Sequence, residues 1–356
     1  MRRAIVTLGL PRTGATSFHE VLTRLRPSLG EVGLCFPKLA PPVPHGSADV
    51  SHHRLARLAT ILAETDADTA IVACEDFSAQ RSDPGEPARL AALFGRFGFA
   101  MEVALVATPQ AERLACAYAL RTQVLAEART FRGFVRREGF SDRYDPLALL
   151  DPWRRAAGER IRVVPVRDRR SPAPLLVRLV AELGLTERLD PLLAPGDLLE
   201  RGNRRSGPFA VEASRRLHAL GLQRRAAGQR RRLGHLLDNL AWARGLDAET
   251  FRGEAREAVA AVEAYHGEAN ERLAALAWGR NWDAVVARGP GLPPNELACR
   301  PLSPESDAEI EGLVADVMAH AGHRAPPRWL RRVDAIVEDG IERLTDLIGR
   351  PTWRMR

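Results

Sequence analysis

The sequence predicts an α/β protein, a doubly wound parallel sheet flanked by helices, with a helical C-terminal extension. Three observations carry this. Short apolar runs rich in β-branched residues recur along the first half of the chain, as "AIVTLGL", "TAIVAC", "MEVALVA" and "RIRVVPV". Stretches with helical spacing lie between them, and strands alternating with helices build parallel sheets buried on both faces. Beyond residue 200 the pattern is helical throughout.

Taken in order, residues 3 to 8 read as a buried core strand, and a helix from Thr16 to Leu25 follows, stopped by Arg26-Pro27. "EVGLCFP" (31 to 37) suggests a second strand, after which "PKLAPPVPHG" makes a surface loop. A helix with a serine start opens at Ser51. "TAIVAC" (69 to 74) is the next strand. A helix over 86 to 97, the strand "MEVALVA" (101 to 107) and a long helix from Gln110 to Arg129 come after it. "RIRVVPV" (160 to 166) is the last strand, with the helix "PAPLLVRLVAELGL" behind it. One further helix is read from Phe251 to Leu276. The proline- and glycine-rich stretch 288–306 is the linker expected after an α/β domain of residues 1–287, and 307–356 is expected as a helical appendage.

The composition narrows the function. A chain of 356 residues with 45% hydrophobic and 27% charged residues suits a globular protein. The net charge of +7 raises the question of nucleic acid, but Lys38 is the single lysine among 52 basic residues. Such uniform use of arginine reads as a coding bias, and 6% aromatics leave little for base stacking. Attraction for small anions is the inference drawn, with no nucleic acid and no membrane among the expected partners. Cys35, Cys74, Cys116 and Cys299 form no CxxC pair, which argues against structural zinc and fits a reducing, cytoplasmic compartment. The apolar part of "MRRAIVTLGL" is too short for a secretory leader or a membrane span.

The chemistry gathers in "GLPRTGATSF", between the first strand and the first helix. The first N–H groups of a helix lack partners and the helix dipole adds positive charge there, so this junction is an anion site. Gly9 and Gly14 allow close backbone approach, Arg12 is a permanent cation, and Thr16 and Ser17 carry hydroxyls. The glycine spacing is that of GxxxxGK[ST], but Ala15 stands where the lysine of an ATP-binding loop belongs. "VALVAT" also ends without the acid that would hold magnesium. No metal is expected.

This loop resembles the 5′-phosphosulfate loop of the P-loop sulfotransferase superfamily, whose bacterial members read close to GxPRSGTTSL. "MEVALVATPQAERLACAYALRTQ" is similar to the family's second motif, and "RIRVVPVRD" with "FAVEASRRLHAL" resembles later segments, so the likeness spans residues 3 to 285. It implies a P-loop-type fold that moves a sulfuryl group from 3′-phosphoadenosine 5′-phosphosulfate (PAPS) to a hydroxyl or amine without metal. Carried over, Pro11, Arg12, Thr13, Gly14, Ala15, Thr16 and Ser17 would hold the 5′-phosphosulfate, with Arg12 on the bridging oxygen. Two departures stand out. Ala15 replaces a threonine, the arginine that the family uses on the 3′-phosphate falls on Thr108, or on Ala107 if Pro109 is matched instead, and its serine falls on Cys116. Arg113, Arg121 and Arg204 are the arginines that could substitute.

Transfer to an acceptor needs a general base. Glu75, just after "TAIVAC", is the first candidate, and His53 is the second, with His52 beside it. The acceptor expected is a small molecule or a carbohydrate. The basic run "LQRRAAGQRRRLGH" reads either as a solvated helix face or as a recruiter of an acidic acceptor. Trp242, Tyr265, Trp278 and Trp282 fit packing of the helical half better than a sugar platform. Two other readings stay open: a protein that keeps the fold for binding alone, and a kinase-like enzyme.

Overall fold

The computed structural model describes residues 2–8, 15–37, 48–73, 85–194, 206–289, 293–299 and 301–322. The chain is an α/β protein, as its periodicities predict. Five parallel strands form one sheet: β1 (Arg2–Leu8), β2 (Leu34–Cys35), β3 (Thr69–Ala73), β4 (Phe99–Ala107) and β5 (Ile161–Pro165). Their order is β2-β3-β1-β4-β5, so the first strand is central. β1 is in register with β3 from Arg3↔Thr69 to Thr7↔Ala73, and with β4 from Arg2↔Phe99 to Leu8↔Leu105.

Side-chain alternation sends the central strands into two cores. Ala4, Val6 and Leu8 of β1 join Val103, Leu105 and Ala107 of β4 on one face. That face is covered by α2 (Ala48–Glu64), α3 (Glu86–Arg96), α6 (Pro146–Ala157) and α12 (Gly267–Trp278). Ile5, Ile71, Ala104 and Val106 point the other way. They meet Phe18, Leu22 and Leu25 of α1 (Ala15–Leu29), Leu175, Leu176 and Leu179 of α7 (Leu175–Glu182), and Leu189 of α8 (Thr186–Leu189). Apolar residues on both faces explain why these strands read as continuous hydrophobic runs.

Several elements differ from their sequence reading. α1 passes through Pro27 and ends at Leu29, because Leu25 and Leu29 on either side of the proline are both buried. Packing of that stripe outweighs the hydrogen bond the proline removes. β2 is only two residues long, preceded by a 3-10 turn at Gly30–Val32 and by Gly33 at φ 70°. α2 begins at Ala48 rather than Ser51. The helix expected to reach Arg129 stops earlier, as α4 (Gln110–Gln123). The chain turns there through Leu125, held at φ 53° with its side chain fully buried, before α5 (Phe131–Glu138). The single helix read over 251 to 276 is two, α11 (Arg256–Tyr265) and α12, broken at His266. The His266 ring bonds the Gly139 carbonyl oxygen at 2.9 Å, a contact that no periodicity reveals.

The chain forms two compact units. The first, residues 1–116, 138–204 and 259–291, holds the sheet. The second, residues 117–137, 205–258 and 292–356, is helical in its described parts. There α9 (Pro208–Ala219), α10 (Ala227–Ala243) and α14 (Pro304–His320) share one core, with Leu217, Leu237, Ile310, Leu313, Val314 and Val317 all buried. Residues 307–320, expected as part of an appendage, thus supply half of a helix–helix contact. Arg216 of α9 reinforces it, reaching Glu311 at 2.6 Å and Asp307 at 2.9 Å while Glu212 flanks it at 3.4 Å. The rest of the expected helical appendage, residues 323–356, lies outside the described residues.

Candidate functional site

In an open α/β sheet, ligands gather beyond the carboxyl ends of strands where neighbouring connections leave in opposite directions. The connection after β1 leads to β2 on one side of the sheet, and the one after β4 leads to β5 on the other. The crevice between β1 and β4 is therefore the switch point, where β1 ends at Leu8 before α1 opens at Ala15.

At the end of β1, Thr7 is 3% exposed, and its hydroxyl is hydrogen-bonded to the His19 ring Nε2 at 3.0 Å. Strand alternation puts Thr7 on the same face as Ile5, the face that α1 covers. His19 lies on α1 between the rings of Phe18 and Phe36, with centroids 6.3 and 6.4 Å away. Burial lowers its pKa to about 4, so the imidazole is neutral at pH 7. The pair pins α1 to the strand end a few residues beyond its first turn, and so helps to fix where that turn begins. The sequence reading passed over His19. The one available signal is a threonine closing an otherwise apolar strand.

At the end of β4 the polar groups turn inward. Thr108 is 5% exposed, and its Oγ1 has no hydrogen-bond partner among the described residues. Cys116 is buried at 2%. Arg113 is also buried, donating to the carbonyl oxygens of Tyr144 at 3.1 Å and of Arg143, with its guanidinium 5.4 Å from the Tyr144 ring centroid. Burial lowers its pKa to about 10, which leaves it a cation at neutral pH. Gln110, opening α4, exchanges two amide bonds with Asn270 of α12, at 2.8 and 3.0 Å.

Glu112 draws three segments together. It pairs with Arg167, beyond β5, and accepts from the Gly289 N–H at 3.1 Å. A Cβ on Gly289 would lie 2.9 Å from Arg167 Nη2, so a side chain there would displace the tip of that guanidinium. Arg178 of α7 donates to the Pro165 and Val166 carbonyl oxygens at 2.6 and 2.8 Å, closing the end of β5. Arg113, Arg167 and Arg178 are thus each engaged by protein acceptors at this edge. Arg121, within the second unit, sits 3.8 Å from Glu127 and over the Phe134 ring.

The other sequence candidates are placed as follows. Ala15, Thr16 and Ser17 form the first turn of α1, and His53 lies in the second turn of α2. Pro11, Arg12, Thr13, Gly14, Glu75 and Arg204 lie outside the described residues. Among the described residues no three His, Cys, Asp or Glu side chains are grouped as a metal ion would require. No described helix is long and apolar enough to cross a membrane.

No protein-family model matches the chain, and no curated protein does. Among solved structures, the chain is similar to the crystal structure of a sulfotransferase from Alicyclobacillus acidocaldarius. Identity is 14%, the match covers 65% of this chain and 99% of that one, and the TM-score is 0.34. A superposition this loose assigns no residue a role.

Proposed function

We propose that this chain binds the phosphosulfate end of a PAPS-class donor at the β1–α1 junction and transfers its sulfuryl group to an acceptor hydroxyl or amine. The observation that supports this most is the junction itself. A central strand buried from Ala4 to Leu8 precedes a fifteen-residue helix at the switch point of a parallel sheet, and the sequence between them carries Gly9, Arg12 and Gly14. Unpartnered N–H groups and the helix dipole favour an anion there, and Arg12 adds a fixed charge.

In the transfer, a bond forms between the acceptor oxygen or nitrogen and sulfur as the bond from sulfur to the bridging oxygen breaks. The electron pair stays on the leaving phosphate, where Arg12 and the first turn of α1 stabilise it. The acceptor proton goes to a base, with Glu75 and His53 as the two candidates.

A second reading is favoured by the end of β4. Thr108 and Cys116 are enclosed and Arg113 is committed to backbone carbonyls, so a chain that keeps the fold for binding without sulfuryl transfer fits those residues as well. Calorimetry separates the two. Binding of 3′,5′-diphosphoadenosine, lost in Arg12→Ala together with any sulfuryl transfer, supports the transferase. No binding at millimolar concentration removes it in favour of the second reading. Magnesium-dependent binding of ATP would replace both with a kinase-like enzyme.

A further inference from the structure

Leu125, between α4 and α5, is the one residue other than glycine with positive φ among the described residues. Backbone held in the left-handed region by a bulky side chain is strained, and such strain gathers where a turn must present its neighbours in a fixed way. This turn carries polar groups inward: Gln123 and Glu127, two residues to either side of Leu125, are both buried. Glu127 accepts from the Ala128 and Arg129 N–H groups at 3.1 Å and from Arg129 Nε and Nη2 at 2.8 Å. Arg121 stands 3.8 Å from the same carboxylate.

α9 and α10 bring further polar groups to the turn. Arg215 donates to the Ala128 carbonyl oxygen at 2.7 Å, and His218 lies on the same face of α9, three residues on. Burial lowers the pKa of its ring, which the charges of Glu127 and Arg230 push in opposite directions, so the imidazole is neutral at pH 7. Arg230 Nη1 of α10 reaches the carbonyl oxygen of Gln223 at 3.4 Å, in the 3-10 turn Leu222–Arg224 between the two helices. Glu212, the other carboxylate on this stretch of α9, is taken up by Arg215 and Arg216. One buried carboxylate is thus set among the guanidinium groups of Arg121, Arg129 and Arg230.

Three side-chain atoms at this place, His218 Nδ1, Gln223 Oε1 and Arg230 Nε, are enclosed and have no hydrogen-bond partner among the described residues. Enclosed polar atoms ordinarily have partners, so three together point to a ligand. Arg230 Nε can only donate, and the imidazole and the amide each present an N–H after a change of tautomer or a flip. Three donors amid an excess of positive charge fit an oxyanion, which has several acceptor oxygens and no proton to give. A metal cation would be repelled, and a neutral polyol would leave the charge unanswered.

We propose that the turn at Leu125, His218 of α9 and Arg230 of α10 form a binding site for a sulfate or phosphate group, free or carried as an ester. The site belongs to the helical unit and does not rest on the reading of the β1–α1 junction. His218, Gln223 and Arg230 are partly exposed, so a change of rotamer opens their polar atoms to solvent. A bound oxyanion favours the protonated imidazole, whose charge also suits the last turn of α9.

Calorimetric titration of the full chain with sodium sulfate, at constant ionic strength against sodium chloride, tests this. The β1–α1 junction is itself read as an anion site, so Arg12→Ala is titrated beside the wild type. The expected result is saturable sulfate binding that survives Arg12→Ala. It should weaken tenfold or more in Arg230→Gln and severalfold in His218→Leu. Arg231→Gln, an exposed neighbour of the same charge, should leave it within twofold. In the wild type, the His218 ring proton followed by NMR should titrate at a higher pH in sulfate than in chloride, a readout that no variant's folding can disturb. Glucose 6-sulfate distinguishes the sources: affinity equal to that of sulfate assigns the site to an ester, and tenfold weaker binding to the free ion. No sulfate binding in Arg12→Ala, equal weakening in Arg230→Gln and Arg231→Gln, or an unmoved His218 titration would overturn the proposal.

Discussion

Arg113 donates a guanidinium N–H to the carbonyl oxygen of Tyr144 at 3.1 Å from a position with 4% of its surface exposed. The acceptor belongs to the 3-10 turn Asp142–Tyr144, which leads directly into α6. A cation this deep holds its charge through those carbonyls and through the ring of Tyr144. Its geometry is that of a clasp between α4 and the turn before α6.

Arg113→Met is therefore expected to destabilise the first unit by roughly 2–4 kcal/mol, since the buried Tyr144 carbonyl oxygen keeps only the Gln110 amide at 3.3 Å and the Arg143 carbonyl oxygen loses its Arg113 donor. Arg113→Lys should recover only part of this, because an ammonium cannot reproduce the planar fork. Urea unfolding measures both. An arginine reserved for a bound phosphate would behave otherwise: stability would stay within about 0.5 kcal/mol of the wild type, as surface changes do.

Thr7→Val tests the strap between β1 and α1. It removes the hydroxyl and leaves one nitrogen of a largely buried imidazole without its partner, at a cost of about 1–2 kcal/mol. The pH dependence has a definite sign. Burial lowers the folded pKa of His19 to about 4, so between there and about 6.5 the unfolded chain binds more protons. Stability from this group is fully present above about 6.5 and is lost as pH falls toward 4. His19→Gln should flatten that slope in thermal melts recorded from pH 4 to 7.

Asp247 should give the opposite slope. Its carboxylate caps α9, accepting from the Phe209 and Ala210 N–H groups at 2.9 and 3.0 Å, yet burial raises its pKa to about 6. The folded state thus keeps a proton that the unfolded state has released above about 4. Stability from this group is fully present below about 4 and falls as pH rises through 6. Asp247→Asn removes the slope, and unfolding of the helical unit followed by urea between pH 4 and 7 would register the change.

Gly207→Ala addresses the same cap from the other side. A Cβ there would fall 2.3 Å from the Asp247 Cγ, so the carboxylate must leave the α9 N-terminus. The expected loss is about 1–3 kcal/mol, the sum of overpacking and a lost cap. Paired with Asp247→Asn the loss should be less than additive, because the two changes disturb one contact.

The class of fold and most of its elements were legible in the sequence for a simple reason. β1, β3, β4 and β5 are buried on both faces, and a strand buried on both faces announces itself as a short apolar run whatever its neighbours are. That a helix follows β1 was legible too, because a helix start after an apolar run is signalled by local spacing. Interruptions decided by distant partners were not legible. Leu125 turns the chain at positive φ because its side chain is enclosed in a core of α9, α10 and α14 residues. His266 breaks a periodic helix at a carbonyl more than a hundred residues away. The fates of the polar groups at the carboxyl edge were hidden for the same cause. Arg113 and Cys116 look alike as exposed or buried candidates when read along α4, and only the packing of the turn before α6 commits the arginine to backbone. The sequence determined where strands and helices could form, since that follows from side-chain spacing along the chain. The tertiary structure decided which charges are spent inside, as with Arg113 and Arg216, and which remain on the surface, as with Arg231 and Arg232, because desolvation depends on what else is packed nearby.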